Sequence, residues 1–173
     1  MTREHEGPSH TLALDASVLI NFLRVDRLDI LETLPGLEFA VPEQVVQEIT
    51  YPDQARVLTE ALGAGRLRKE ASTDPDEIAR YADLKRVMGR GEAACLAIAE
   101  TRGWNIAADE GGRFRRLAED RLGEGRILNT PGILVLAIRS GLLTVEDADE
   151  LKARLEKQRF RMAFRSFRDV LDP

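Results

Sequence analysis

The chain has 173 residues, of which 43% are hydrophobic and 32% charged, and its formal net charge is −5. This length and apolar content suffice for one domain with one core, and the acidic balance is not that of a general nucleic-acid binder. The start MTREHEGPSH does not resemble a signal peptide, and no apolar run could span a bilayer. We expect a soluble, cytoplasmic protein without membrane contact, with a polar leader over 1–10 and a single domain over 11–173.

Short apolar segments alternate with amphipathic ones along the chain. Five strands are predicted, at TLAL (11–14), FAV (39–41), LRKEA (67–71), NIAA (105–108) and RIL (126–128). Helices are predicted over 17–25, 43–49, 53–62, 74–87, 91–103, 112–122, 131–141 and 145–157. Right-handed crossovers then give a three-layer α/β/α sandwich around a central, mostly parallel sheet of about five strands. Functional residues are expected at the carboxyl ends of those strands.

Histidine and cysteine are too scarce for several kinds of chemistry. The two histidines, His5 and His10, lie in the polar leader, and the single Cys95 lies in the apolar helical pattern AACLAIA. Serine-histidine-aspartate hydrolysis, histidine acid–base ribonuclease chemistry and zinc sites built from histidine and cysteine are therefore excluded from the domain. Cys95 is interpreted as a small buried hydrophobic residue in a reducing compartment.

Two carboxylates follow directly after predicted strands. Asp15 comes after TLAL and before a helix, and Asp109 comes after NIAA and before a Gly-Gly turn and a helix. In this architecture both positions lie at the edge of the sheet where ligands bind. The alternative for Asp15 is a helix N-cap, a position for which Ser17 is a second candidate.

Two further carboxylates lie on predicted helices. Glu48 in PEQVVQEI lies at the margin of the apolar stripe. Glu92 in GRGEAACLAIA shares its face with Leu96 and Ala99, which should pack inward, and it lies in the first turn, where the helix dipole favours an anion. Either residue alone is also compatible with a solvated or capping acid, but four such acids together favour a shared site.

A shared site of carboxylates requires a cation. Carboxylates a few ångströms apart repel one another and take up protons unless positive charge compensates them. Ligation by oxygen alone favours hard ions, Mg²⁺ or Mn²⁺, over Zn²⁺. The acids are spread along the chain, which excludes an EF-hand loop.

At these residues the chain resembles the PIN domains, in particular the bacterial and archaeal proteins related to VapC toxins. The resemblance covers nearly the whole chain through LDASVLINFL, VPEQVVQEI, GRGEAACLAIA and AADEGGRFRRLA, and the closing ILNTPGILVLAIRSGLL is similar to the tail of one subgroup. It implies that the metal-binding, catalytic acids are Asp15, Glu48, Glu92 and Asp109, with Ser17 as a hydrogen-bonding support.

The chain departs from the family pattern at two places. Asp109-Glu110 stands where many relatives carry two aspartates, and Asn129-Thr130 stands where the subgroup often has Gly-Thr. The first departure, a glutamate in place of the second aspartate, would alter the position of a second metal ion. Glu110, Asn129 and Thr130 are therefore assigned supporting positions around the ligands.

The resemblance implies a metal-dependent endoribonuclease, such as the toxin of a toxin–antitoxin pair, that uses Mg²⁺ or Mn²⁺. Asp15 and Asp109 would bind the metal directly, Glu92 would be a ligand or a water-orienting base, and Glu48 would bind through water. The implied partners are an RNA substrate, a cognate antitoxin protein and a second copy of the chain in a homodimer.

Basic residues give a weaker indication of RNA binding. Arg113 and Arg116, about one turn beyond Asp109, are predicted phosphate contacts. The arginines of the C-terminal stretch KARLEKQRFRMAFRSFR could bind phosphates or an acidic segment of a partner. Alternatively, they only form the solvated face of a helix. The phenylalanines of this stretch show helical spacing and are predicted to form core or dimer contacts.

Two other classes of protein are alternatives. A phosphotransfer protein also places an aspartate after its first strand, but DAS lacks the second aspartate of the phosphatases, and the acid pair of receiver domains is missing. The second alternative is a catalytically inactive PIN-like module that binds nucleic acid or serves as a scaffold. Such modules usually lose one or more acids, and this chain keeps four.

Overall fold

The computed structural model describes residues 10–171, which form a five-stranded sheet surrounded by helices. The strands are β1 (His10–Leu14), β2 (Leu37–Pro42), β3 (Arg68–Glu70), β4 (Asn105–Ala107) and β5 (Ile127–Leu128). The helices are α1 (Ala16–Arg24), α2 (Leu28–Thr33), α3 (Glu43–Glu48), α4 (Pro52–Gly63), α5 (Pro75–Leu84), α6 (Arg90–Arg102), α7 (Gly112–Leu122), α8 (Thr130–Arg139), α9 (Val145–Lys157) and α10 (Phe167–Leu171). All five predicted strands and all eight predicted helices are present, whereas the short helices α2 and α10 were not predicted.

The sheet is parallel throughout and has the order β3-β2-β1-β4-β5. The predicted three-layer α/β/α class with a parallel sheet is thereby confirmed. From β1 the chain moves to β2 on one side and later to β4 on the other, so the strand order reverses between β1 and β4. In open α/β sheets the carboxyl edge at this reversal point is the usual place for a ligand site.

Helix α6 is buried along most of its length, from Ala93 to Ala99. It packs against β1, β2 and β4 of the sheet and against α3 and α5. Small alanines make this close packing feasible, because they fill little space between the helix and the sheet. Cys95 is completely buried here, as predicted, and burial raises the pKa of its thiol well above the ordinary value. The first turn of α6 is thus held at a fixed place beside the sheet edge.

A buried ion-pair network fixes the other end of α6. Arg102 donates to both oxygens of Glu77 at 3.0 and 2.9 Å and to Glu70 at 2.8 Å. Glu77 is completely buried on α5, so its charge depends on this guanidinium. The network connects α5 and β3 to α6, and it was not predicted from the sequence.

The C-terminal stretch differs from its prediction. Phe160, Phe164 and Phe167 were expected to lie on one helix face, but the chain is not helical over 158–166. Helix α9 ends where Arg159 adopts a left-handed φ of 68°, a conformation that does not continue a right-handed helix. Phe167 is fully buried, and Phe160 and Phe164 are half-buried, so their expected role as core contacts holds without the helix.

The described part of the chain begins at His10, the first residue of β1, which pairs with Leu37 of β2. The predicted leader included His10, which the structure instead places in β1; residues 1–9, the rest of that predicted leader, lie outside the described part. Within residues 10–171, no helix has both the length and the apolar character needed to cross a bilayer.

Candidate metal centre

Asp15 lies at the carboxyl end of β1 and is also the N-cap of α1, so both sequence interpretations apply to it. Its backbone N–H donates to the carbonyl of Ala107 in β4 at 2.9 Å. Its Oδ2 accepts from the Ser17 N–H at 3.1 Å and from the Ser17 hydroxyl at 2.5 Å. Oδ1 accepts no hydrogen bond from any residue within 10–171, although the residue is only 3% exposed. One oxygen therefore serves the cap while the other is available to a ligand.

Asp109 lies on the neighbouring strand end and is held by hydrogen bonds on several sides. Its N–H donates to the Ser17 hydroxyl at 3.0 Å, so Ser17 connects the two aspartates. Its carboxylate accepts from the Thr130 N–H at 2.8 Å and from the Thr130 hydroxyl at 2.6 Å. Thr130, at the start of α8, is thus placed against Asp109, in keeping with the supporting position assigned to it.

Asn21 is a further residue of this network, and it was not predicted from the sequence. Its carboxamide on α1 is 3% exposed and donates to Asp109 Oδ2 at 3.0 Å and to the Thr130 hydroxyl at 3.3 Å. A signal was present in the sequence. Asn21 lies four residues after Ser17 in the otherwise apolar stretch SVLINFL, which places both side chains on the same face of a helix.

Glu48 is held by the start of α6. The Gly91 N–H donates to its Oε1 at 2.9 Å. A β-carbon on residue 91 would lie 2.6 Å from that oxygen and 2.9 Å from Oε2. Glycine at this position therefore lets the Glu48 carboxylate at the end of α3 approach the backbone of α6 closely, a contact that was not predicted from the sequence.

Glu92 and Glu110 line a cleft of about 190 Å³ together with Arg113. Glu92 is half-buried in the first turn of α6, as expected, and its Oε2 accepts from the Gly89 N–H at 3.3 Å, so it also caps the helix. Glu110 is exposed in the loop that follows Asp109. The cleft joins these two acids to the start of α7.

The five acids Asp15, Glu48, Glu92, Asp109 and Glu110 form an electrostatically coupled group, here called the acidic cluster. Partial loss of water around the carboxylates, greatest at Asp109, is the main reason why the pKa values of the last four are raised, although Glu48 and Glu110 remain exposed. The charge of Asp15 raises each of these four pKa values further. Other members add to this, since Glu48 raises the pKa of Glu92 and Glu110 raises that of Glu48. Such mutual repulsion is relieved by bound positive charge.

The donors of the acidic cluster fit a hard divalent cation in type. All are carboxylate oxygens, and the nearby Cys95 is a buried thiol whose pKa is raised, which disfavours the thiolate that would bind a soft metal. As the side chains are placed, no three acidic, histidine or cysteine residues of the described part lie close enough to hold one ion together. Ligation by three acids would therefore require side-chain rotation against their mutual repulsion.

The remaining predicted residues lie at the border of the cluster or outside it. Asn129 accepts from the Gly132 N–H at 2.9 Å and caps α8, and its side chain makes no hydrogen bond with the acids among the described residues. Arg113 and Arg116 are exposed on α7 and make no ion pair within residues 10–171. Both line a groove of about 490 Å³, together with Arg121.

Comparison with known proteins identifies the family. The crystal structure of PAE2754 from Pyrobaculum aerophilum is similar, with 16% sequence identity, 75% of this chain and 90% of that chain covered, and a TM-score of 0.49. No curated protein matches the chain. A family model described as a PIN domain matches residues 11–172, which is nearly the whole chain. The chain therefore belongs to the PIN-domain family, as its motifs indicated.

Proposed function

We propose that this PIN-domain protein is a metal-dependent ribonuclease that hydrolyses RNA phosphodiester bonds at the acidic cluster. The observation that carries the proposal is the pair Asp15 and Asp109, which follow neighbouring parallel strands and share the Ser17 hydroxyl. Three glutamates, Glu48, Glu92 and Glu110, lie near enough for the charge of Asp15 to raise their pKa values. Keeping so many carboxylates together costs free energy unless a cation compensates them, and structural acids have no need of this arrangement.

In this proposal Asp15 and Asp109 bind Mg²⁺ or Mn²⁺ directly, while Glu92 and Glu48 act as further ligands, directly or through water. When bound, the metal lowers the pKa of water and stabilises negative charge on the phosphate and the leaving oxygen. The protein positions these ligands through Ser17, which hydrogen-bonds to both aspartates. Thr130 donates two hydrogen bonds to Asp109 and thereby favours its ionised form, the form that a metal requires.

The path of the RNA is proposed to follow α7. Arg113 lines both the cleft beside Glu92 and Glu110 and the larger groove beyond it. Arg113 and Arg116 are free of intramolecular ion pairs in the described part, so their guanidinium groups are available to phosphates. Asp83 and Asp120 also line the groove, and their negative charges reduce its positive potential.

The finer assignments stay with the family resemblance. A toxin role, a cognate antitoxin and a homodimer are proposed on the ground of that resemblance. The same resemblance supports Mg²⁺ or Mn²⁺ as the bound ion. An inactive, scaffolding PIN module is less well supported, because loss of catalysis would remove the reason to hold five repelling carboxylates in one place.

The test is RNA cleavage by purified protein with Mg²⁺, with Mn²⁺ and with a chelator. Asp15→Asn should abolish metal-dependent cleavage. The matched control is Asp74→Asn, because Asp74 is also an N-cap aspartate, accepting from the Asp76 N–H at 2.8 Å at the start of α5. Asparagine caps about as well as aspartate, so both variants should fold. Cleavage that persists in Asp15→Asn, or that disappears equally in Asp74→Asn, would refute the proposal.

A further inference from the structure

The positive charge of the chain is concentrated in one C-terminal segment. Residues 152–168, KARLEKQRFRMAFRSFR, contain seven lysines and arginines and one glutamate, a net charge of +6. Because the whole chain carries −5, the remainder carries −11. A segment of this sign on so acidic a protein creates a local field that attracts anions even though the net charge does not.

The packing of this segment directs the cations outward. Phe160, Met162 and Phe164 turn toward the core, and the residues between them, Arg161 among them, are exposed. Asp149 fixes the far end, since it accepts from the Ser166 hydroxyl at 2.6 Å and from the Phe167 N–H at 2.8 Å. The backbone of this segment is therefore fixed at one end by α9 and at the other by the hydrogen bonds of Asp149.

Most of these cations are not used by the fold. In residues 152–168, Lys152 pairs with Glu156 at 2.6 Å and Arg168 pairs with Glu146 at 3.3 Å. The other exposed cations make no ion pair with any residue from 10 to 171, and they are called the basic C-terminal surface: Arg154, Lys157, Arg159, Arg161 and Arg165. Their charges are available to an external anion.

This surface lies away from the acidic cluster. Gln158 donates to the carbonyl of Arg24 at the last residue of α1, whereas Asp15 caps the first turn of the same helix. The nine residues of α1 separate the two points by about 13 Å along the helix axis. A phosphate bound beside Lys157 and Arg159, the neighbours of Gln158, is therefore a different phosphate from the one at the acids.

We propose that the basic C-terminal surface binds the phosphate backbone of RNA at nucleotides away from the cleaved bond. The inference rests on the proposed function for the identity of the anion. Four of the five cations are arginines, whose planar guanidinium groups bind phosphate oxygens in a bidentate manner. The alternative ligand is an acidic protein segment, and the experiment below distinguishes it from RNA.

The experiment measures binding of a 30-nucleotide single-stranded RNA in the presence of a chelator, at several salt concentrations. Arg161→Gln/Arg165→Gln is compared with the control Arg56→Gln/Lys69→Gln, which removes two exposed charges that make no ion pair within the described part. Loss of two phosphate contacts should weaken binding about tenfold and reduce the slope of log K against log salt by about 1.4. Arg161→Lys/Arg165→Lys keeps the charge and should retain most of the affinity.

Three outcomes would overturn the proposal. These are an unchanged affinity and slope in Arg161→Gln/Arg165→Gln, an equal loss in the control, and wild-type binding of polyglutamate as tight as that of RNA. Because both substituted side chains are exposed, melting curves of the variant and control should coincide. Binding without divalent metal does not need cleavage, so a failure of the nuclease proposal would appear separately, as absent cleavage with intact RNA binding.

Discussion

Replacing Gly91 with alanine should separate the stability of the fold from the competence of the acidic cluster. The new β-carbon would lie 2.6 Å from Glu48 Oε1 and 2.9 Å from Oε2. Ordinary contact begins near 3.4 Å, so the carboxylate must retreat by about 0.8 Å or more. Glu48 is exposed and can rotate away, which breaks its hydrogen bond with the Gly91 N–H.

The expected change in stability is small because two contributions oppose each other. Losing the hydrogen bond costs about 1 kcal/mol. Replacing glycine by alanine inside a helix contributes up to about 1 kcal/mol in the other direction. The free energy of unfolding should therefore stay within about 1 kcal/mol of the wild type. The position of Glu48 relative to Asp15, by contrast, should change, and with it metal affinity.

The assay pairs urea unfolding with Mn²⁺ titration for Gly91→Ala. Gly63→Ala is the matched control, since Gly63 ends helix α4 and a β-carbon there meets nothing within 4 Å. We expect weaker Mn²⁺ binding and slower RNA cleavage in Gly91→Ala alone, with both variants close to wild type in stability. Wild-type metal affinity in Gly91→Ala, or unfolding of that variant, would show that the role assigned to the Gly91–Glu48 contact is wrong.

Three further substitutions or conditions test the network. Thr130→Val removes the hydroxyl that hydrogen-bonds to Asp109 and Asn21, and thermal unfolding should show a loss of about 1–3 kcal/mol together with weaker Mn²⁺ binding; unchanged values would contradict the hydrogen bonds. Arg102→Ala leaves the completely buried Glu77 without its guanidinium partner and should cost about 3–5 kcal/mol by urea unfolding, so a cost below 1 kcal/mol would argue against the ion pair. The raised pKa values of the acidic cluster mean that the folded state binds more protons than the unfolded state. Without metal, the contribution of the acidic cluster to stability should therefore fall as pH rises above the ordinary values of 3.8 and 4.5. Urea unfolding of the wild type and of Asp15→Asn across pH measures this contribution, and a wild-type stability that rises more steeply with pH than that of Asp15→Asn would contradict it.

The sheet and the positions of the principal acids could be predicted from the sequence because local signals were strong. The run TLAL followed by Asp15, and NIAA followed by Asp109, identify strand ends, and parallel topology brings such ends to one edge. The dual role of Asp15 could not be decided in advance, because an N-cap and a ligand require the same residue at the same place.

Contacts between segments that are distant in the chain could not be predicted from local sequence patterns. The bond from the Gly91 N–H to Glu48 joins residues 43 positions apart, and no periodicity reports which backbone amide a carboxylate will meet. The C-terminal phenylalanines show why spacing alone misled the prediction. Their positions fit a helix, but the left-handed Arg159 ends α9 and tertiary packing holds the following residues in a nonhelical path.

The most direct test of the metal centre is calorimetric titration of Mn²⁺ into the wild type, Asp15→Asn and Asp74→Asn at a pH where the carboxylates are ionised. We expect saturable binding to the wild type and to Asp74→Asn, with binding lost or greatly weakened in Asp15→Asn, because Asp15 interacts with every other acid of the cluster. Equal binding by all three proteins, or no binding by the wild type, would contradict the claim that the acidic cluster is a metal centre.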